Sequence, residues 1–291
     1  NDPFAGTTLG GLVEELGPAL IGTRPQAMLG PRFPLLAKFL DAQDDLSVQV
    51  HPDDRYARER EHGKLGKTEA WYVLATQPSA RLVYGWRRAT SAAEVRAAIA
   101  SASLEDLLDT FEAHPGDVIF VPAGMVHAIG AGITLYELQE YSDVTYRLYD
   151  YGRRQADGTQ RQLHVDQALD VLNFAVAPAR TVVPVAAPGS SAAVERRVLV
   201  GCDYFVLEEV TMRGTLDGTT TPSSCEIVSV LGGTCAVRTP DGRVCPLELG
   251  DTAVLPAALG AYTLGGDAVR LLRSYVPEPN DRLLALWRSS Q

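Results

Sequence analysis

Through most of the chain, apolar runs of about four to eight residues are set apart by Gly, Pro, Asp or Asn every eight to twelve residues or so. DVIFVP (117–122), ITLYELQ (133–139), CEIVSVL (225–231) and TAVLP (252–256) are examples. Short, β-branched, punctuated runs of this kind predict an all-β sandwich or barrel. Helical patterning is confined to a few places. TSAAEVRAAIASASLEDLLDTF (90–111) opens with Ser91 and Glu94 at capping-box spacing, then carries Val95, Ala98 and Ile99 on one face. A second helical start is expected at Ser103, followed by Leu104, Leu107, Leu108 and Phe111. DQALDVLNF (166–174) reads as a short helix, and residues 12–22 and 55–62 as a helical turn or two each.

One strand departs from the usual half-buried pattern. In LSVQVHPDD (46–54), Leu46, Val48 and Val50 share one face, and Ser47, Gln49 and His51 share the other. A hydroxyl, an amide and an imidazole form that polar face, where Thr, Lys and Glu are the common choice.

The pattern also repeats. GDVIFVPA from Gly116 is echoed by GDTAVLPA from Gly250, and EAWYVL from Glu69 by EIVSVL from Glu226, in the same order. This points to an internal duplication. His127 follows the first Pro turn, whereas the second copy has Ala261 and Tyr262 there, so the second copy reads as a structural partner. Residues 174–193, rich in Ala, Pro, Val and Ser, look like an extended connector between the halves. The expected division is a first domain over residues 1–175 with a helical insertion near 91–113, a connector over 176–193 and a second domain over 194–291.

Composition narrows the function classes. The 291 residues carry a net charge of −10 and no basic stripe, which argues against nucleic-acid binding. No apolar run is long enough for a bilayer and no signal peptide is read, so a cytoplasmic protein without membrane partners is expected. Cys202, Cys225, Cys235 and Cys245 contain no C-x-x-C pair and are expected to be reduced, buried and structural. An anionic ligand would need a local cationic patch, and Lys67, Arg147, Arg153, Arg154 and Arg161 bracket the motif region.

Five histidines are present. His62 lies in a polar loop. His114 is expected at a helix C-terminus, and His164 opens a helix. His51 and His127 stand on or beside strands, near Pro or Gly. With Gln49 on the face of His51 and Glu69 opening the next apolar run, they offer two imidazoles, a carboxylate and an amide oxygen. That donor set suits a borderline divalent cation such as zinc, with positions left for water or substrate. Spacing alone leaves open a satisfied polar strand face packed under a loop.

Longer motifs carry a family resemblance. FPLLAKFLDAQDDLSVQVHPDD, GKTEAWYVL, PGDVIFVPAGMVHAIGAGITLYELQEYSDVTYRLYDYGR and LHVDQALDVL resemble the type I mannose-6-phosphate isomerases, especially their short bacterial form. The match covers nearly all of residues 30–175, and the last third is similar only as a degenerate second cupin. The resemblance implies a mainly β fold of two cupin (jelly-roll) barrels, one Zn2+ per chain, and interconversion of mannose 6-phosphate and fructose 6-phosphate by proton transfer through an enediolate. It implies Gln49, His51, Glu69 and His127 as metal ligands. It implies Lys67, Glu137, Asp143 and Arg147 as catalytic residues, and Ser47, Lys67 and Arg147 as contacts to a sugar-phosphate substrate. Asp143 and Arg147 share a face if YSDVTYRLYD is a strand, where they could equally form an ion pair. A monomer or homodimer is expected. Family members usually start with a Trp-Gly-Gly segment and an early strand; NDPFAGTTLGG looks like the middle of that region, so an edge strand is expected to be missing. The competing readings are a cupin oxygenase using two His and one carboxylate with iron, and a cupin that binds sugar phosphate without turnover.

Overall fold

The computed structural model describes residues 4–291. Two compact units form, one of Leu36–Val182 and one in which the residues up to Leu35 join Val183–Gln291. The expected division followed chain order, but the fold does not. The N-terminal residues form α1 (Leu9–Leu16), α2 (Pro18–Ile21) and α3 (Thr23–Leu29). Thr8 caps α1 by accepting the Gly11 N–H, and Pro18 opens α2 at a position where no donor is needed. Val13, Leu20 and Ile21 form a buried cluster with Phe33 and Val254, which ties this segment to the C-terminal unit.

The first unit holds β1 (Leu35–Ala42), β2 (Val48–Val50), α4 (Asp54–Arg60), β3 (Glu69–Thr76), β4 (Arg81–Trp86), α5 (Ala92–Ala100), β5 (Leu108–Glu112), β6 (Val118–Val121), β7 (His127–Ile129), β8 (Ile133–Glu140), β9 (Tyr146–Tyr149) and α6 (Val165–Val171). Two sheets form, in the orders β1-β8-β3-β6 and β5-β4-β7-β2-β9. Trp71, Val73, Ile119, Val121 and Leu135 from the first pack with Leu82, Tyr84 and Ile129 from the second, so the sheets lie face to face. Val48 and Val50 point the other way. They lie under Val95 and Ala98 of α5 and Ala168 and Leu169 of α6, in a second core outside the sandwich. The parity read from the sequence holds, and both faces of β2 are covered. Its apolar side meets helices, and its polar side faces the barrel interior.

The helical insertion is shorter than expected. Ser91 caps α5 by accepting the Glu94 N–H, but the Glu94 carboxylate turns to Arg88 and Thr90. After Ala100 the chain makes only a 3-10 turn over Leu104–Asp106, and Leu108–Glu112 is a strand. Pairing with β4 supplies hydrogen bonds to a Leu-rich run whose periodicity alone fits a helix. His114 therefore follows a strand, and its backbone N–H binds the Asp117 carboxylate.

The second unit holds β10 (Val185–Ala186), β11 (Val194–Gly201), β12 (Val206–Thr219), β13 (Glu226–Arg238), β14 (Val244–Leu247), β15 (Thr252–Leu255), β16 (Ala261–Tyr275) and α7 (Arg282–Arg288). One antiparallel sheet runs β10-β11-β12-β16-β13-β14, with β15 also on β13. The duplicated sequences occupy matching places. Glu69 pairs with Val121 and Trp71 with Ile119, while Glu226 pairs with Leu255 and Val228 with Ala253. The corner turns match too. Asp117 accepts the His114 N–H at 2.8 Å, and Asp251 accepts the Glu248 N–H at 2.8 Å. Among the described residues no disulfide forms; Cys225 and Cys235 are buried as expected, but Cys202 is half-buried and Cys245, on edge strand β14, is exposed. Among the described residues, no helix is long and apolar enough to cross a membrane.

Candidate metal centre

The polar face of β2 meets three other strands inside the first barrel. Gln49 lies opposite His127 of β7 on one side and Arg147 of β9 on the other. Directly opposed residues of an antiparallel pair point to the same face, so all three side chains enter the interior. Pro52 turns the chain into α4. The loop returning to β3 is pinned by three contacts: Lys67 N–H to the Pro52 carbonyl, Gly66 N–H to Asp54, and Thr68 N–H to Glu140. A Cβ at Gly66 would lie 2.5 Å from the Asp53 carbonyl carbon, so this packing requires glycine. Glu69 thereby enters the interior from the facing sheet.

His51, Glu69 and His127 are fully buried, with one ligand atom of each within 4.8 Å of the others. His51 Nδ1 lies 2.9 Å from the Val144 carbonyl and His127 Nδ1 2.8 Å from the Met125 carbonyl. A carbonyl can only accept, so each Nδ1 carries the proton and each Nε2 turns a bare lone pair inward. Burial, with the neighbouring His51, pulls the His127 pKa down to about 3. Burial and Lys67 lower that of His51. Both rings are therefore neutral, the form that binds metal. Burial alone would raise the Glu69 carboxyl, but Lys67, His51 and His127 outweigh it and hold the group well below the usual carboxylate range.

Several contacts here are unfavourable without a cation. His51 Nε2 stands 3.4 Å from Glu69 Oε1, and His127 Nε2 3.7 Å from Glu69 Oε2, lone pair facing lone pair. Glu69 Oε1 is buried and accepts no hydrogen bond, although the Lys67 ammonium lies against it as an ion contact. The Gln49 amide ends 3.3 Å from His127 Nε2, and rotating the amide would turn its oxygen toward the same centre. Two neutral imidazoles, a carboxylate and an amide able to turn its oxygen inward make a donor set that fits a divalent cation.

Cationic and acidic groups border this cluster. Lys67, 7% exposed, lies 3.3 Å from His51 Nε2. Glu137, opposite Trp71, is buried, and burial together with Glu69 raises its pKa. Sequence reasoning missed two members. Lys38 of β1 donates to Glu137 and Gln139 at 2.6 Å each, and the Gln139 amide is anchored by the Glu140 and Ser142 carbonyls. The available signal was a lysine inside the apolar run FPLLAKFL. Ser47 is buried and accepts from Arg147 Nε at 3.2 Å, while a second Arg147 nitrogen donates to the Gln162 carbonyl. Asp143 is not drawn in. The run 141–145 is not a strand, and the Asp143 side chain is 79% exposed and pairs with Lys64 at 2.9 Å. Arg153 and Arg161 bind Asp150, and Arg154 binds the Gly158 carbonyl. His164 precedes α6, and its Nδ1 accepts the Arg147 N–H at 3.3 Å.

In the second barrel, the pairing of Gln49 with His127 is matched by that of Gly218 with Tyr262. Glu226 holds the place of Glu69, but it accepts from the Tyr262 hydroxyl at 2.5 Å and faces Arg273 at 3.5 Å. No second metal cluster is present there among the described residues.

A family model described as phosphomannose isomerase type I, catalytic domain, matches residues 2–74, which include Gln49, His51 and Glu69. Mannose-6-phosphate isomerase ManA of Bacillus subtilis is 39% identical over 242 residues, covering 82% of this chain and 74% of that protein. Mannose-6-phosphate isomerase of Streptococcus mutans is 39% identical over 241 residues, with coverage of 81% and 72%. The crystal structure of the Bacillus subtilis mannose 6-phosphate isomerase superposes with a TM-score of 0.80 at 35% identity, covering 94% of this chain and 83% of that one. A phosphomannose isomerase structure from Salmonella typhimurium, 19% identical with a TM-score of 0.70 over 92% and 86%, shares the fold. At this identity and coverage the chain belongs to the type I mannose-6-phosphate isomerases, a metal-dependent family of cupin fold.

Proposed function

We propose that this chain interconverts mannose 6-phosphate and fructose 6-phosphate, with one zinc ion held by Gln49, His51, Glu69 and His127. The convergence of two neutral imidazoles on the buried Glu69 carboxylate, His51 on one oxygen and His127 on the other, carries the reading. A bound divalent cation supplies Lewis-acid stabilisation of the negative charge that develops on the sugar oxygens as a proton moves between C1 and C2. The remaining work falls to the chain itself. Ser47 and the Arg147 guanidinium, already in contact, bind the phosphate end and orient the open-chain sugar. Lys67 and Lys38 add fixed positive charge where the overall charge of −10 is unfavourable. Glu137, with a raised pKa and a lysine on one oxygen, takes the carbon-bound proton and returns it to the neighbouring carbon. Burial of Lys67 and Glu137 limits competition from water for that proton. The fourth donor and the two lysines set the centre apart from a two-His, one-carboxylate iron oxygenase. As a cytoplasmic enzyme it would need no nucleic-acid or membrane partner; a monomer or homodimer suits the chemistry equally.

A coupled assay with mannose 6-phosphate tests this reading. Activity is expected to vanish on chelation and return with zinc. His127→Ala should lose stoichiometric metal and at least about 10³-fold in kcat/KM while keeping its circular dichroism spectrum. Tight fructose 6-phosphate binding without turnover, or substrate-dependent oxygen uptake with iron, would overturn it.

A further inference from the structure

The inference concerns the support behind the ligands and rests on the ligand set proposed above. The chain has three tryptophans. Two spend the indole N–H on backbone carbonyls, Trp86 on Asn173 at 2.8 Å and Trp287 on Leu199 at 3.1 Å. Trp71 spends its own on Glu69 Oε2, at 3.2 Å. Two residues apart on β3, the pair shares one strand face. The same ring meets His127 edge to face, with centroids 5.3 Å apart and planes at 73°. Trp71 is fully buried, in the cluster with Tyr84, Ile119, Val121 and Leu135, so its rotamer is locked from behind.

We infer that Trp71 is a positioning residue for the metal centre, holding one oxygen of the Glu69 carboxylate by its indole N–H while its ring fixes the plane of His127. A neutral donor to a buried ionised carboxylate is a charge-assisted hydrogen bond, stronger than one between neutral groups. It occupies Oε2 on the side of His127 and leaves Oε1 turned toward His51 and the Lys67 ammonium. The plane of the carboxylate is thus fixed by the indole N–H at one oxygen and the Lys67 ammonium at the other before any ion arrives. The duplicated barrel provides an internal contrast. Val228 stands where Trp71 stands, and there Glu226 is met by the Tyr262 hydroxyl and Arg273.

The test is metal affinity, which core packing alone does not set. Trp71→Phe keeps a ring in the core and removes the N–H. In competition with a chromogenic chelator it should bind zinc about 10–100-fold more weakly than the wild type, the usual cost of losing a partner behind a ligand. Its activity should recover at saturating zinc. A folded Trp71→Phe protein with zinc affinity within about threefold of wild type overturns the inference. Wild-type protein that takes up no zinc overturns the ligand set, and this inference with it. Should Trp71→Phe fail to fold, the indole N–H resonances of ¹⁵N-labelled protein give the answer. The Trp71 signal should move in Glu69→Ala while those of Trp86 and Trp287 stay; an unmoved Trp71 signal overturns the inference.

Discussion

Single side chains decide most of the chemistry here, through burial. Lys38 and Asp143 are both charged, but one lies inside the barrel on Glu137 and Gln139 and the other on the surface with Lys64. Lys38→Met should lower kcat/KM about 10²-fold, as the loss of one fixed donor typically does. Asp143→Asn should leave it within about threefold, because an exposed ion pair contributes little. Steady-state kinetics on the two variants checks both. Glu140 offers a pH-dependent case. Burial, reinforced by Asp54, pushes its pKa up from 4.5 to about 8, while its carboxylate accepts the Thr68 N–H. Above pH 4.5 the unfolded chain gives up this proton and the folded protein keeps it, so the folded state binds more protons and stability falls as pH rises towards 8. Glu140→Gln keeps the acceptor and removes the titration. It should raise stability by about 2–4 kcal/mol at pH 8 and by much less at pH 5, flattening the profile measured by thermal unfolding.

Elements are positioned by close backbone contacts that side-chain patterning does not reveal. Gly22, at φ 97°, lies between α2 and α3, and a Cβ there would stand 2.3 Å from the Ser223 carbonyl oxygen. The flanking chain bonds that loop directly, Thr23 N–H to Pro222, Arg24 N–H to Ser223, and Cys225 N–H back to Ile21. Gly22→Ala combines a backbone conformation open to glycine with a clash against main chain. It should cost about 1–3 kcal/mol and make α1–α3 more susceptible to limited proteolysis, both measurable against wild type. Strand β2 shows the reverse case, in which pattern alone was sufficient. Val48 and Val50 against Gln49 and His51 is a period-2 alternation, and the backbone can satisfy it in only one way.

Across the molecule, two related barrels handle a buried carboxylate differently. The first surrounds Glu69 with two neutral imidazoles and one lysine ammonium. The second has a tyrosine and arginines in place of the imidazoles: Arg273 bonds Glu208 at 2.9 Å and faces Glu226, with Arg196 also on Glu208 at 2.7 Å. Burial would lower the Arg273 pKa, yet Glu208 and Glu226 outweigh it and hold it above the ordinary value. Arg273→Met leaves those carboxylates short of a partner and should destabilise the protein by about 3–5 kcal/mol in thermal unfolding, without altering zinc stoichiometry. By itself the sequence determined the β class, the in-register duplication and the inward face of β2, because strand parity is a local property. Only the tertiary structure decided that the residues up to Leu35 pack with the C-terminal unit, that Leu108–Glu112 is a strand, that Lys38 enters the site and that Asp143 stays outside it. Each of those outcomes depends on a partner distant in the chain, and a pattern read along one segment does not contain the segment it will meet.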